Sequence, residues 1–107
     1  MKKLCSLFIV VLVLVLFAGC AIDPDATYSV TYIGNGNTYG FYPVDNTEYK
    51  SGDEVIVLGK NTLDKTGYEF LKWNTKPDGT GDSYSEGDRI TIKNSNIRLY
   101  AIWVVKP

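Results

Sequence analysis

From residue 28 to residue 104 the chain is a series of short apolar runs divided by turn residues. "YSVTYI" (28–33) alternates, with Tyr28, Val30 and Tyr32 on one face against Ser29 and Thr31. "EVIVLG" (54–59) is a brief apolar run, and "YEFLKWN" (68–74) and "RITIK" (89–93) are further strand candidates. "NIRLYAIWVV" (96–105) is the clearest, because Ile97, Leu99, Ala101 and Trp103 share one face. Val, Ile, Tyr, Phe and Trp dominate these runs and suit a pleated, half-buried surface. Turn signals close each one: "GNGN" at 34, "VDN" at 44, "SGD" at 51, "GKN" at 59, "TG" at 66, "DGTG" at 78, "EGD" at 86 and "NSN" at 94. No window of about eleven residues after Cys20 carries an apolar stripe of helical period. The pattern predicts a mainly β, mostly antiparallel domain, in which only "NTLDKT" (61–66) has room for a turn or two of helix.

Two of the runs echo each other. "YKSGDEVIV" (49–57) and "YSEGDRITI" (84–92) align at an offset of 35, with Tyr49 and Tyr84, Gly52 and Gly87, and Asp53 and Asp88 identical. A tandem repeat is one reading. Nothing else matches at that offset, so the simpler reading is a shared local device: a tight turn needing glycine at positive φ, then a strand with alternating apolar positions.

The first 20 residues, "MKKLCSLFIVVLVLVLFAGC", follow a different logic. Lys2 and Lys3 precede an uncharged apolar stretch, and small residues lead into a cysteine, as in a secretory signal. As a helix, residues 4–19 would reach about 24 Å at about 1.5 Å per residue, short of a hydrocarbon core about 30 Å thick. "LFAGC" resembles a bacterial lipobox, although Phe17 stands where leucine is usual. That resemblance implies a signal peptide at 1–19 and a lipidated Cys20 as the mature N-terminus, with 20–27 as a tether. An ordinary cleavage site and a retained anchor are the alternatives. Cys5 lies in the apolar stretch, so the remaining chain has one cysteine and no internal disulfide.

Composition narrows the function classes. Removing Lys2 and Lys3 from the eleven basic residues leaves nine against twelve acidic, a net charge of −3 with no basic cluster along the chain, which argues against nucleic acid. Histidine is absent, removing the commonest general base and metal ligand. "PDGTGDSYSEGD" (77–88) is rich in carboxylates, but neither helix–loop–helix calcium register closes on an acid. Starting at Asp78, the twelfth place is Arg89; starting at Asp82, it is Lys93. The stretch is expected to be a turn. Asp82 with Glu86, and Asp53 with Glu54, are nominal carboxylate pairs for glycoside hydrolysis, but a sheet this small offers no deep cleft to hold them. The expectation is no catalytic residue, no metal and no cofactor. "NTYGFY" (37–42) places Tyr39, Phe41 and Tyr42 outside any core period. They either roof the core and cover an edge strand, or stand exposed as stacking platforms for sugars or anchors for a partner.

The stretch "GYEFLKWNTKPDGTGDSYSEGDRITI", closing on "NIRLYAIW", resembles the Listeria–Bacteroides repeat, also called the internalin B-repeat. The matching positions are Gly67, Tyr68, Phe70 and Trp73; Asn74 and Thr75; Asp78, Gly79 and Gly81; Tyr84 and Gly87; and Leu99, Tyr100, Ala101 and Trp103. "YIGNGN", "PVDNTEYKSGD" and "VLG" extend the likeness upstream, so that 28–104 is one repeat-like domain. Lys72 stands where the family carries glycine, and "GNGN" lacks its double glycine; both positions bear on strand curvature. The resemblance implies a small β-grasp-like module, a curled antiparallel sheet with at most one short helix. It also implies a non-catalytic stalk or adhesive unit of envelope proteins. Phe70, Trp73, Leu99, Ala101 and Trp103 are the expected core. The expected location is the cell envelope, on the non-cytoplasmic side of a bacterial membrane. Contact with the membrane would run through the N-terminal lipid, and a protein or glycan of unknown identity would be the partner.

Overall fold

The computed structural model describes residues 23–107; the expectations placed on the first 22 residues, the signal peptide and the Cys20 anchor among them, lie outside the described residues. The chain enters through a small turn in which Asp23 accepts from the amides of Asp25 and Ala26. The strands that follow are β1 (Val30–Ile33), β2 (Glu54–Ile56), β3 (Tyr68–Asn74), β4 (Ser83–Tyr84), β5 (Arg89–Thr91) and β6 (Ile97–Val105).

They form a four-stranded sheet in the order β1-β6-β3-β4 and a two-stranded ribbon of β2 and β5. β6 is central. It runs parallel to β1, with Val30 opposite Ile97 and Ile33 opposite Tyr100, and antiparallel to β3, with Trp73 opposite Ala101. A parallel pair cannot be closed by a hairpin, so residues 34–96 cross from one end of the sheet to the other and carry the ribbon with them. The architecture is mainly β, with no helix among the described residues. The segment 61–66 makes a turn and a bridge from Asp64 to Tyr39 instead of a helical turn. Asn61 takes φ 59°, a sign that a right-handed helix does not continue.

One face of the sheet and the inner face of the ribbon enclose the core of Val30, Tyr32, Val55, Val57, Leu63, Trp73, Ile92, Leu99 and Ala101. Fully burying each aliphatic side chain contributes about 1.5–3 kcal/mol. Trp73 is the largest member. Its ring meets Tyr32 at 4.9 Å and Phe70 at 5.1 Å, both edge to face. Phe70 and Trp103 flank the core instead of lying inside it. β1 ends opposite Tyr100, so no strand covers that side of Trp103, and its indole N–H donates to the Gly34 carbonyl at 2.9 Å. Phe70 and Trp73 are three apart, which in a regular strand puts them on opposite faces. A bulge between Phe70 and Lys72 inserts Leu71 and returns both rings to one side. This is where Lys72 departs from the family glycine, so the bend forms without it.

The echoing segments are partners. β2 and β5 pair antiparallel about Val55 and Ile90, so that Glu54 faces Thr91 and Ile56 faces Arg89. The turn and ladder hydrogen bonds repeat 35 residues on. The Gly52 amide donates to the Ile92 carbonyl at 2.7 Å, and that of Gly87 to the Val57 carbonyl at 2.8 Å. The Asp53 carboxylate accepts from the Lys50 amide at 2.9 Å, and that of Asp88 from the Ser85 amide at 2.8 Å. The ribbon therefore has a local twofold axis, and Glu54 reaches Arg89, its counterpart under that axis, in an exposed ion pair of 3.1 Å. Ile56, part of the apolar run, faces solvent because Val55 and Val57 occupy the core side.

Gly52 at φ 95° and Gly87 at φ 90° have nothing within 4 Å of an added Cβ, so only the backbone opposes substitution. Gly52→Ala and Gly87→Ala are expected to cost about 1–2 kcal/mol each, equal within about 0.5 kcal/mol and additive. Denaturant unfolding measures this, and one costless member of the pair would refute the equivalence.

Candidate functional site

The acidic stretch 77–88 is organised from within. Asn74, with no exposed surface, donates from Nδ2 to the carbonyls of Gly79 and Gly81 and to Ser83 Oγ, while Oδ1 accepts from the amides of Lys76 and Gly81 at 2.9 Å. The Thr75 hydroxyl accepts from the Asp82 amide at 2.9 Å, and a Cβ on Gly81 would lie 2.1 Å from that oxygen. The stretch holds the connection from β3 to β4, β4 itself and the turn into β5, where a turn was expected. Asp78, Asp82, Glu86 and Asp88 are exposed. Hydrogen bonds from the Thr80 hydroxyl and amide hold the Asp78 carboxyl below its ordinary range. Among the described residues, no three His, Cys, Asp or Glu side chains are grouped to hold a metal ion. The nominal catalytic pairs are occupied or open to water. Glu54 pairs with Arg89, Asp53 caps a turn, and Asp82 and Glu86 lie on the surface.

The aromatic segment has the stronger claim to a function. Tyr39 is 59% exposed, Phe41 78% and Tyr42 50%, and Val44 beside them is also exposed. They do not roof the core. Buried Pro43 anchors the segment between them. The backbone is held at its outer end by Asp64, whose carbonyl accepts from the amides of Thr38 and Tyr39 and whose amide donates to the Tyr39 carbonyl. The Phe41 amide donates to Thr62 Oγ1 at 2.8 Å. Gly40, at φ 91°, presses so close to Thr62 that a Cβ would sit 1.9 Å from its carbonyl oxygen. These contacts fix the position of the exposed rings.

Carboxylates secure both ends of this run. The Tyr39 hydroxyl donates to Asp64 Oδ2 at 2.5 Å; that bond holds the Asp64 carboxyl down and pushes the Tyr39 hydroxyl up, with Lys106 and Lys60 adding to the effect on Asp64. At the inner end, burial pushes the Asp45 carboxyl up, but the Tyr49 hydroxyl at 2.6 Å and the Thr47 amide outweigh it and leave the group below its usual range. Between the segment and β1 lies a shallow groove of about 210 Å³, lined by Val30, Thr31, Tyr32, Tyr42, Val44 and Asn46 among others. Three residues that sequence reasoning did not single out build this surface: Asp64, Thr62 and Pro43. The Tyr39–Asp64 spacing carries no local signal, and only a fold that brings 39 beside 64 reveals it.

A family profile described as the Listeria-Bacteroides repeat domain matches residues 28–102. Two relatives, both from Evansella cellulosilytica, are similar to the chain. One, provisionally named a membrane protein, is 38% identical over 76 residues, which is 71% of this chain and 11% of the relative. The other, provisionally named a Gly-rich membrane protein, is 40% identical over 79 residues, 73% of this chain and 9% of the relative. The chain thus spans about a tenth of the length of these relatives. No solved structure gives a significant match. With the motif residues from Gly67 to Trp103 set in a β module of this kind, the chain belongs to the Listeria–Bacteroides repeat family.

Proposed function

We propose that the chain is a cell-envelope lipoprotein, anchored through Cys20 on the non-cytoplasmic side of a bacterial membrane, whose module acts in surface interaction, adhesion or spacing without catalysis. The observation that carries this reading is the polarity of the module. β1 and β6 are parallel, so the chain enters at one end and leaves at the other. The bridge from Tyr39 to Asp64, close to Lys106, favours an exit-end position for Tyr39. A tether at residue 20 holds the entry end toward the membrane and turns Tyr39 and Phe41 outward. The family and the membrane-protein names of the relatives support an envelope location. No histidine is present in the chain, and the carboxylates named above serve turns or face water.

Labelling cells with a radioactive fatty acid tests the anchor. The native chain takes up label, and Cys20→Ala abolishes uptake and leaves the protein unanchored. Uptake by the Cys20→Ala protein would end the lipid assignment.

A second reading is favoured by the exposure of Tyr39, Phe41 and Tyr42, which suits a glycan-binding module. Aromatic faces carry partial negative charge and stack against the polarised C–H face of a sugar ring. On a glycan array the full chain is expected to bind a subset of sugars, with binding lost in Phe41→Ala. An array that is blank for the native chain would remove this reading.

A further inference from the structure

Lysines converge on the end of the module where Tyr39 and Phe41 stand. Lys65 follows Asp64, and its ammonium lies 4.3 Å over the Tyr68 ring. A Cβ on Gly36 would lie 3.5 Å from the same nitrogen, so Lys65 stands beside the turn that leads into the aromatic segment. The Lys106 amide donates to the Gly67 carbonyl, and its charge acts on the Asp64 carboxylate. Lys60 is also close, but its ammonium donates to the Leu63 carbonyl at 2.9 Å and shares a cavity wall with Glu86. Lys65 and Lys106 are therefore the pair that matters. Asp64 lies among them, one oxygen taken by the Tyr39 hydroxyl and the other by the Lys65 amide, and Glu69 stands at the same end of the sheet, opposite Val104. The two ammonium groups stand on a chain whose described residues carry nine basic and twelve acidic side chains.

We propose that this tip binds an acidic polysaccharide, with Phe41 and Tyr39 stacking on sugar rings and Lys65 and Lys106 pairing with their carboxylates. The proposal deepens the glycan reading above and rests on it. Three features select this partner. The rings present open faces, which a sugar covers without enclosure, whereas a peptide anchor needs a groove that buries it. Around the rings lie hydroxyls and amides suited to sugar hydroxyls: Thr38, Thr62, Thr66 and Asn37 take part in the local hydrogen bonds. The two ammonium groups add charge complementarity, and their placement at the exit end keeps them away from a tethered entry end.

The test uses the full chain in detergent and beads coated with polygalacturonate, a neutral β-glucan or polyglutamate. Retention on polygalacturonate is expected, stronger than on either other matrix and weakening several-fold as salt rises from about 50 to about 300 mM. Phe41→Ala should weaken it about tenfold, and Phe41→Tyr should restore it. Lys65→Gln with Lys106→Gln should weaken it about three- to tenfold and flatten the salt dependence. Phe41 is 78% exposed, so its removal leaves the core intact, which an unchanged tryptophan emission spectrum confirms. Equal retention on polyglutamate would mean an acidic polypeptide site and overturn the proposal. Retention on the neutral glucan alone, indifferent to the lysines, would overturn the charge assignment while sparing the glycan reading. Absence of retention on both sugars would remove both.

Discussion

The structure depends on how the Trp73 indole is buried. Its ring fills the space between sheet and ribbon, and its N–H donates to the Leu58 carbonyl at 2.9 Å. The Leu58 amide in turn donates to the Tyr32 hydroxyl at 3.0 Å. One residue just beyond β2 is thereby pinned from β3 and from β1. Leaving a buried N–H unpaired costs about 1–3 kcal/mol, and emptying a site of this size costs about 3–5 kcal/mol. Leu58 leads directly into residues 59–64, the seat on which the aromatic segment is bonded. The indole thus links the core to the exposed rings through a few covalent steps and hydrogen bonds.

Legibility in the sequence followed period and locality. In β1 and β6 alternate residues face the core, so Leu99 and Ala101 were expected there, while Val30 and Tyr32 were read only as sharing a face and prove to be buried as well. Trp103 shares that period yet lies only half-buried, because burial also depends on whether a neighbouring strand reaches it. β3 breaks the period with a bulge, and its placement came from a run of β-favouring residues between turn signals, not from alternation. The parallel pairing of β1 with β6 joins segments some 67 residues apart, as in Val30 with Ile97, and no local signal encodes it. Residues 61–66 resembled a helical turn by composition, but Leu63 is drawn into the core and Asp64 into a bridge, and tertiary contacts override weak propensity. The echo of 49–57 and 84–92 was visible as a repeated device. That the two copies would pair with each other was not.

The aromatic run 37–42 shows the same limit from the functional side. Lack of period marked it as no ordinary strand, and roofing the core or covering an edge strand was the expectation, with exposure the alternative. Contacts far along the chain decided the matter, with Thr62 and Asp64 holding the backbone while the rings face water. Rigid presentation favours binding, since the side chains lose little freedom when a partner arrives. A small module that fixes aromatic rings at the end opposite its entry point suits display from a surface.

The most direct test concerns the indole. In a Trp103→Phe variant, Trp73 is the sole remaining tryptophan, and its fluorescence reports its surroundings without ambiguity. Blue-shifted emission that acrylamide barely quenches is the predicted result. Emission at the wavelength of free indole, quenched as readily, would mean that Trp73 does not join the two sheets, and the account would fail.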